Sequence, residues 1–178
     1  MIEVLWYGRG GQGAFTAARL LGSAYCLKDE LHYALAFPSF GPERRGAPIR
    51  AFTKLDHTPI NNRSEIERAD YIIFLDDTLY SEHSLVELKQ EGKIIVNTKK
   101  EIRNSNVVTI DADSLADEIL KLPITNTIML GAFTALFDGV SVEDLEKAIK
   151  ESLPYKLQEK NINAVSAAAN KLLRRQTK

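Results

Sequence analysis

The residues best suited to chemistry stand near the start of the chain, where Gly8-Arg9-Gly10-Gly11-Gln12-Gly13 spells G-x-G-x-x-G directly after an apolar run and directly before a helical pattern. Glycines in that context permit a tight turn and a close approach of the backbone. The helix that follows offers unpaired N–H groups and partial positive charge to an anion such as a phosphate. The same glycines also serve a chain that simply turns sharply from a strand into a closely packed helix, and spacing alone leaves both readings open. A dinucleotide site of NAD type needs an Asp or Glu at the end of the second strand, roughly 20 residues on, to bond the ribose hydroxyls. Glu30 precedes the second apolar run instead of ending it, and that run closes on Phe37-Pro38. Arg44 and Arg45 could meet a 2′-phosphate, so a stand-alone NADP-binding protein stays as the alternative. No G-K-[ST] follows the glycines, which speaks against a nucleotide hydrolase.

A second cluster, Glu43-Arg44-Arg45 with Arg50 close by, lies in or next to a proline-rich stretch, Pro38 to Pro48. Guanidinium groups suit bidentate contact with phosphate or carboxylate, and Phe37, Pro38 and Phe40 beside them are costly to expose, so the segment reads as an ordered loop at an interface, with a solvated loop tip as the alternative. Conventional catalytic groups are sparse. Cys26 falls late on the first helix between Tyr25 and Leu27 and reads as a packing residue. His32, His57 and His83 show no serine or carboxylate arrangement around them. Asp76-Asp77 ends an apolar strand, where open α/β sheets place ligands. Adjacent strand residues point to opposite faces, so a helix-capping role for one of them is expected rather than paired acid/base work.

These groups must be positioned by alternating strands and helices. Ile2 to Tyr7 reads as a buried strand. Ala14, Ala17, Ala18, Leu21 and Tyr25 then share one helix face, with alanines that let it lie close to a sheet. Leu31 to Phe37, Ala47 to Leu55, Tyr71 to Leu75, Lys93 to Asn97 and Val107 to Ile110 read as further strands. A helix is expected from about Ser81 to Gln90 with Gly92 as its C-cap. From Asp113 the chain is helical: Ser114 to Leu120, Thr127 to Phe137, a start capped at Ser141 with Glu143 and Asp144 in its first turn, and Tyr155 to Leu173. The expected fold is α/β, a three-layer α/β/α arrangement of a mostly parallel sheet with a Rossmann-like glycine-rich first βα turn and a helical C-terminal part, in a single domain over 1–178.

Composition limits what such a domain can do alone. The 178 residues carry a formal net charge of −1, which disfavours a globally basic nucleic-acid binder. The charge is unevenly spread: +2 over 1–60, −9 over 61–146 and +6 over 147–178. Such a pattern fits solvated helix faces, or a surface that meets partners of opposite sign. One cysteine makes no internal disulfide, and with three scattered histidines it builds neither a zinc site nor an iron–sulfur cluster. The start, MIEVLWYGRGG, has no basic stretch before a long apolar one and no segment reaches about 18 apolar residues, so no membrane span is expected and a reducing cytoplasm is the expected compartment.

GRGGQGAFTAARLLGSA followed by AFPSFGPERRGAPIRAF resembles the gamma subunit of pyruvate and related 2-oxoacid:ferredoxin oxidoreductases, of the pyruvate/ketoisovalerate type. Asn126 to Ala132, similar to a late N-x-x-x-L-G-A segment, and Lys160-Asn161 with Ala164 extend the likeness over almost the whole chain. The resemblance implies an accessory chain in a complex that converts a 2-oxoacid and coenzyme A to acyl-CoA and carbon dioxide, with electrons passed to ferredoxin. It implies alpha, beta and delta-type partner subunits that hold thiamine diphosphate, Mg2+ and the iron–sulfur clusters. It assigns no catalytic residue and no metal to this chain. Gly8, Gly10, Gly11, Gln12 and Gly13 would face a phosphate of coenzyme A or a neighbouring subunit, and Phe37, Pro38, Phe40, Glu43, Arg44, Arg45 and Arg50 would lie at an interface or beside the coenzyme.

Overall fold

The computed structural model describes residues 1–39 and 45–176. Its described residues form one six-stranded sheet in the order β2-β3-β1-β4-β5-β6. The strands are β1 (Ile2–Arg9), β2 (Tyr33–Pro38), β3 (Pro48–Asp56), β4 (Ala69–Phe74), β5 (Leu88–Asn97) and β6 (Val107–Ile110). β1, β4, β5 and β6 run parallel to one another, while β3 is antiparallel to both β1 and β2. The sheet is therefore mixed, with the antiparallel hairpin of β2 and β3 on one side and the parallel strands on the other.

Alternation along the strands divides the apolar side chains between two cores, as period 2 requires. Val4 and Trp6 of β1, with Ile73 and Ile95, face α1 (Ala14–Cys26), α3 (Asn126–Thr134), α4 (Val142–Ser152) and α5 (Tyr155–Gln176). The helix face read from the sequence is the buried one: Ala14, Ala17, Ala18, Leu21 and Tyr25 are all buried. On the same side Trp6 donates its indole N–H to Thr53 Oγ1 at 3.0 Å, and Thr53 in turn donates to the Ala18 carbonyl at 3.0 Å, so the buried indole is satisfied and α1 is tied to β3. α4 begins with the expected cap. Ser141 Oγ accepts from the Asp144 N–H at 3.1 Å and Asp144 Oδ2 accepts from the Ser141 N–H at 3.0 Å.

Leu5, Phe52, Ile72, Phe74, Ile94 and Val96 form the opposite core. The α/β class and the helical C-terminal part agree with the sequence, but the cover of this second face is not α-helical. Two short 3-10 turns, Asp77–Leu79 and Glu82–Glu87, and the irregular segment 57–68 lie over it, supplying Leu79, Leu85 and Ile66. The helix expected over Ser81 to Gln90 is thus a 3-10 turn running into a strand. Gly92 is not a C-cap but an interior residue of β5, at the register shift where Ala69 pairs Leu88 while Tyr71 pairs Lys93. A Cβ there would sit 2.8 Å from the Asp70 carbonyl, so it is close backbone approach that demands glycine. α2 (Ala112–Leu115) continues into a wider π-type turn, Ala116–Leu120, and ends at Lys121 with φ 56. No described helix is long and apolar enough to cross a membrane.

Candidate functional site

The glycine turn sits at the carboxyl end of β1 beside the carboxyl ends of β4 and β5, the edge where open α/β sheets bind ligands. Its backbone is largely committed to the protein. The Gln12 N–H bonds the Arg9 carbonyl at 2.9 Å, and Gln12 Oε1 accepts from the Arg9 N–H at 2.7 Å, closing the turn on itself. The Gly10 N–H bonds the Ala47 carbonyl at 2.9 Å and the Gly46 N–H bonds the Gly10 carbonyl at 3.1 Å. Gly11 and Gly13 hold φ of 98° and 81°, the left-handed region that favours glycine. A Cβ on Gly8 would lie 3.3 Å from both Ala14 Cβ and Leu75 Cδ1, a tight fit where α1 passes closely over the sheet.

The residue between the first two glycines organises the rest. Arg9 donates to Asp76 Oδ2 at 3.0 Å, to the Gly46 carbonyl at 3.1 Å and to Thr78 Oγ1 at 2.8 Å. Asp76 also accepts from Gln12 Nε2 at 3.2 Å and from the Thr78 N–H at 3.0 Å, which makes it the cap of the first 3-10 turn. Desolvation raises the Asp76 pKa, but hydrogen bonds from Thr78 and Gln12 and the charge of Arg9 outweigh it and hold the carboxyl below its ordinary range.

That depression has a checkable sign. A carboxylate whose folded pKa lies below its unfolded value of about 3.9 contributes stability above that value and loses it as pH falls through the folded pKa. Asp76→Asn is therefore expected to cost about 1–3 kcal/mol near neutral pH. In urea unfolding followed at several pH values, the difference from the parent chain should shrink below about pH 4; an undiminished difference in acid would mean that charge has no part in the effect.

Beside this network lies a cavity of about 400 Å³ lined by Gln12, Asp76, Asp77, Asn97, Lys100 and Asp113, among others. Asn97 is buried and makes three bonds, to the end of β4 and the start of α2: its Nδ2 donates to the Leu75 carbonyl at 3.0 Å and to Asp113 Oδ1 at 3.1 Å, and its Oδ1 accepts from the Ala112 N–H at 2.9 Å. Asp77 pairs with Lys100 at 3.2 Å and accepts from Thr98 Oγ1 at 2.8 Å. The cavity thus mixes acidic and basic groups. Toward an anion, the donors left by the turn are few: the N–H groups of Gly11 and Gly13 meet no acceptor among the described residues, and those of Ala14, Phe15 and Thr16 precede the first helical bond, from the Ala17 N–H to the Gly13 carbonyl. Gly10 and Gln12, expected from the motif to present donors outward, spend them internally.

The two sequence clusters meet here. Arg45 is exposed on the loop whose Gly46 and Ala47 grip Gly10 and Arg9. Phe37, Pro38 and Arg50 lie on the hairpin of β2 and β3, where Phe37 packs on Phe52 with ring centroids 5.1 Å apart. Arg50 lies over that ring at 5.6 Å and pairs with Glu65 at 2.7 Å. Phe40, Glu43 and Arg44 fall outside the described residues. Tyr7 on β1 donates to Glu87 Oε2 at 2.7 Å, and burial with that carboxylate pushes its hydroxyl up to about 12.

Two readings from sequence are corrected. Cys26 is exposed, because the last turn of α1 turns it outward while Tyr25 beside it stays buried. Partial desolvation still holds its thiol above the ordinary pKa, which makes it a poor nucleophile. The histidines are not without a carboxylate: His32 Nδ1 lies 2.6 Å from Asp29 Oδ1, and His57 Nε2 lies 3.4 Å from the Tyr25 hydroxyl. Their rings, 4.7 Å apart, form a surface cluster with the start of β1 and the end of β3, at the opposite sheet edge from the glycine turn. Among the described residues no three His, Cys, Asp or Glu side chains come together to hold a metal ion.

Arg9, Thr78 and Asn97 were not singled out by sequence. The strand order also weakens the dinucleotide alternative: β3 separates β2 from β1, so the end of β2 does not adjoin the glycine turn as that motif requires.

Residues 3–171 match the model of the pyruvate ferredoxin/flavodoxin oxidoreductase family. A pyruvate synthase subunit PorC of Methanocaldococcus jannaschii is 43% identical, aligned over 98% of this chain and 99% of its own length. The pyruvate/ketoisovalerate oxidoreductases common subunit gamma of Pyrococcus furiosus is 42% identical over 96% of this chain and 97% of its own. Among solved structures, the pyruvate oxidoreductase subunit PORC of Thermotoga maritima superposes with a TM-score of 0.81 at 31% identity, covering 95% of each chain. The 2-oxoglutarate:ferredoxin oxidoreductase of Magnetococcus marinus shares the fold at 16% identity and a TM-score of 0.75, with 96% of this chain aligned to 31% of that one.

Proposed function

Because the chain belongs to the pyruvate ferredoxin/flavodoxin oxidoreductase family, we propose that it works as the gamma subunit of a multi-subunit enzyme that oxidatively decarboxylates a 2-oxoacid. The observation that carries this reading is the end-to-end match, at nearly equal length, to relatives that are themselves named as single subunits. The substrate is pyruvate or a branched-chain 2-oxoacid, coenzyme A accepts the acyl group, and ferredoxin accepts the electrons.

Thiamine diphosphate with Mg2+ would stabilise the carbanion left by loss of carbon dioxide, and iron–sulfur clusters would carry the electrons. An iron–sulfur cluster needs up to four thiolates, and this chain has one cysteine, so its residues do not fit that group and no electron step is routed through them. The alpha, beta and delta-type subunits would hold these groups in the cytoplasm. What this chain contributes is position. The free donors at Gly11, Gly13 and the first turn of α1 face a phosphate of coenzyme A, and the loop bearing Glu43, Arg44 and Arg45 orders the contact with the neighbouring subunit. Arg9 and Asp76 hold that loop and the glycine turn as one unit.

Purification of the tagged chain from its native cells tests this. Iron-bearing chains are expected to co-purify, and the assembly should reduce a redox dye only when a 2-oxoacid and coenzyme A are both present. Purification of the chain alone with tight NADPH binding would establish the alternative. In the assembled enzyme, Arg44→Ala with Arg45→Ala should raise the KM for coenzyme A or loosen assembly; no change in either would remove the loop from the site.

A further inference from the structure

Next to the first turn of α1, whose Thr16 also lines it, and away from the β4 and β5 cavity, the chain exposes an apolar groove that the proposed chemistry does not itself use. Of eight exposed large hydrophobic side chains among the described residues, four gather here: Leu122 (49%), Ile124 (40%), Tyr155 (90%) and Leu157 (37%). With Leu120 and Leu153 the first two and the last line a groove of about 240 Å³ between the 120–124 segment and the start of α5. The left-handed turn at Lys121 aims Leu122 to Ile124 outward. The lining contains no carboxylate, while Lys156 and Lys160, one turn apart on α5, stand exposed on it without an ion pair among the described residues.

We propose that this groove docks a separate polypeptide of the same enzyme complex, through an apolar side chain seated in the groove with carboxylates of the partner meeting Lys156 and Lys160. The inference rests on the subunit reading above. Charge complementarity selects the occupant: a floor of aliphatic side chains rimmed by two unpaired cations calls for an acidic, apolar segment. A symmetric pair with its axis at this groove would set the same two lysines against each other, and the groove, of about 240 Å³, is smaller than the 300 Å³ or so at which small-molecule pockets begin. Leu157 also couples the groove to the glycine turn: its carbonyl accepts from Asn161 Nδ2 at 2.7 Å, Asn161 Oδ1 accepts from Thr127 Oγ1 at 2.7 Å, and neighbouring Asn126 bonds the Gly13 carbonyl at 3.3 Å.

The test uses the tagged chain expressed in its native cells, with the partner chains that co-purify with the unaltered protein as the reference. Lys156→Glu with Lys160→Glu, and separately Leu157→Asp, should each reduce the retained partner chains by about tenfold or more, in salt-dependent fashion for the first. Hydrogen exchange should show residues 120–125 and 153–160 protected in the complex and open in the isolated chain. Because both lysines are exposed, the charge-reversal variant should melt with the parent chain, so lost assembly is not lost folding. Full partner retention by both variants overturns the docking site while leaving the subunit reading intact. An unaltered chain that purifies without partners overturns both. A dimer of the isolated chain that Leu157→Asp dissolves, or normal assembly with a raised KM for coenzyme A, gives the groove another occupant and overturns the proposal.

Discussion

Gly131→Ala is expected to lower the unfolding free energy of the chain by about 3 kcal/mol, the upper range for forcing an atom into a filled core. The direction runs against local propensity, since Gly to Ala in a helix interior ordinarily gains about 1 kcal/mol. What reverses it is the crossing of α3 over α5. A Cβ on Gly131 would stand 2.7 Å from Val165 Cα and 2.8 Å from its carbonyl carbon, closer than such atoms come in folded proteins. Backbone cannot rotate aside as a side chain can, so the two helices must part. Parting them strips contacts from Ile128, Leu130, Ala168 and Leu172, all buried in the same core. Because the obstacle is the main chain of Val165, trimming its side chain in Gly131→Ala/Val165→Ala should not restore stability. Denaturant unfolding of Gly131→Ala, Val165→Ala and the double variant decides the matter: a Gly131→Ala chain as stable as its parent, or one rescued by Val165→Ala, would mean that the helices are not pressed together at this point.

This glycine shows where sequence was legible and where it was not. The local elements can be read because their signal is local: the apolar face of α1, the apolar run of β1 and the Ser141 cap each need only neighbours within a turn or two. The segment 81–90 misled because Leu85 and Leu88 sit at helical spacing, and a 3-10 turn, with three residues per turn, presents nearly the same pattern before the chain extends into β5. Gly92 and Gly131 both owe their identity to backbone brought in from elsewhere, Asp70 in one case and Val165 in the other, and no local rule records that. The site divides the same way. The glycine turn is a contiguous motif and was found; Arg9, its partner Asp76 and the Thr78 hydroxyl span 67 and 69 residues and converge only through the parallel pairing of β1 with β4. Arg9 also occupies a position the motif leaves free, so the pattern drew attention away from the side chain that ties the turn together. Asn97 at the end of β5 carried a usable signal, a polar residue closing an apolar strand at the sheet's carboxyl edge.

The second large effect joins the glycine turn to the late Asn126 segment. Gly13→Ala should destabilise for two separable reasons. An L-residue at φ 81 costs about 1–2 kcal/mol wherever it occurs. In addition, the new Cβ would fall 2.5 Å from Asn126 Nδ2 and 3.2 Å from its Cγ, displacing the side chain that bonds the Gly13 carbonyl and the Thr127 N–H. Asn126→Ala alone loses those two bonds, at about 1–2 kcal/mol. The pair removes the collision but not the backbone strain, so Gly13→Ala/Asn126→Ala should be less destabilised than the sum of the single changes, with a coupling of about 1 kcal/mol or more. Strict additivity in a double-mutant cycle would show that the two residues do not press on each other. The same cycle reads function. In the assembled enzyme Gly13→Ala tilts the first turn of α1, where the uncommitted N–H groups lie, and should raise the KM for coenzyme A. Partial recovery of that KM in the double variant traces the defect to the collision, whereas a KM unmoved by either change would detach the helix start from the coenzyme and leave the glycine turn a purely structural hinge between β1 and α1.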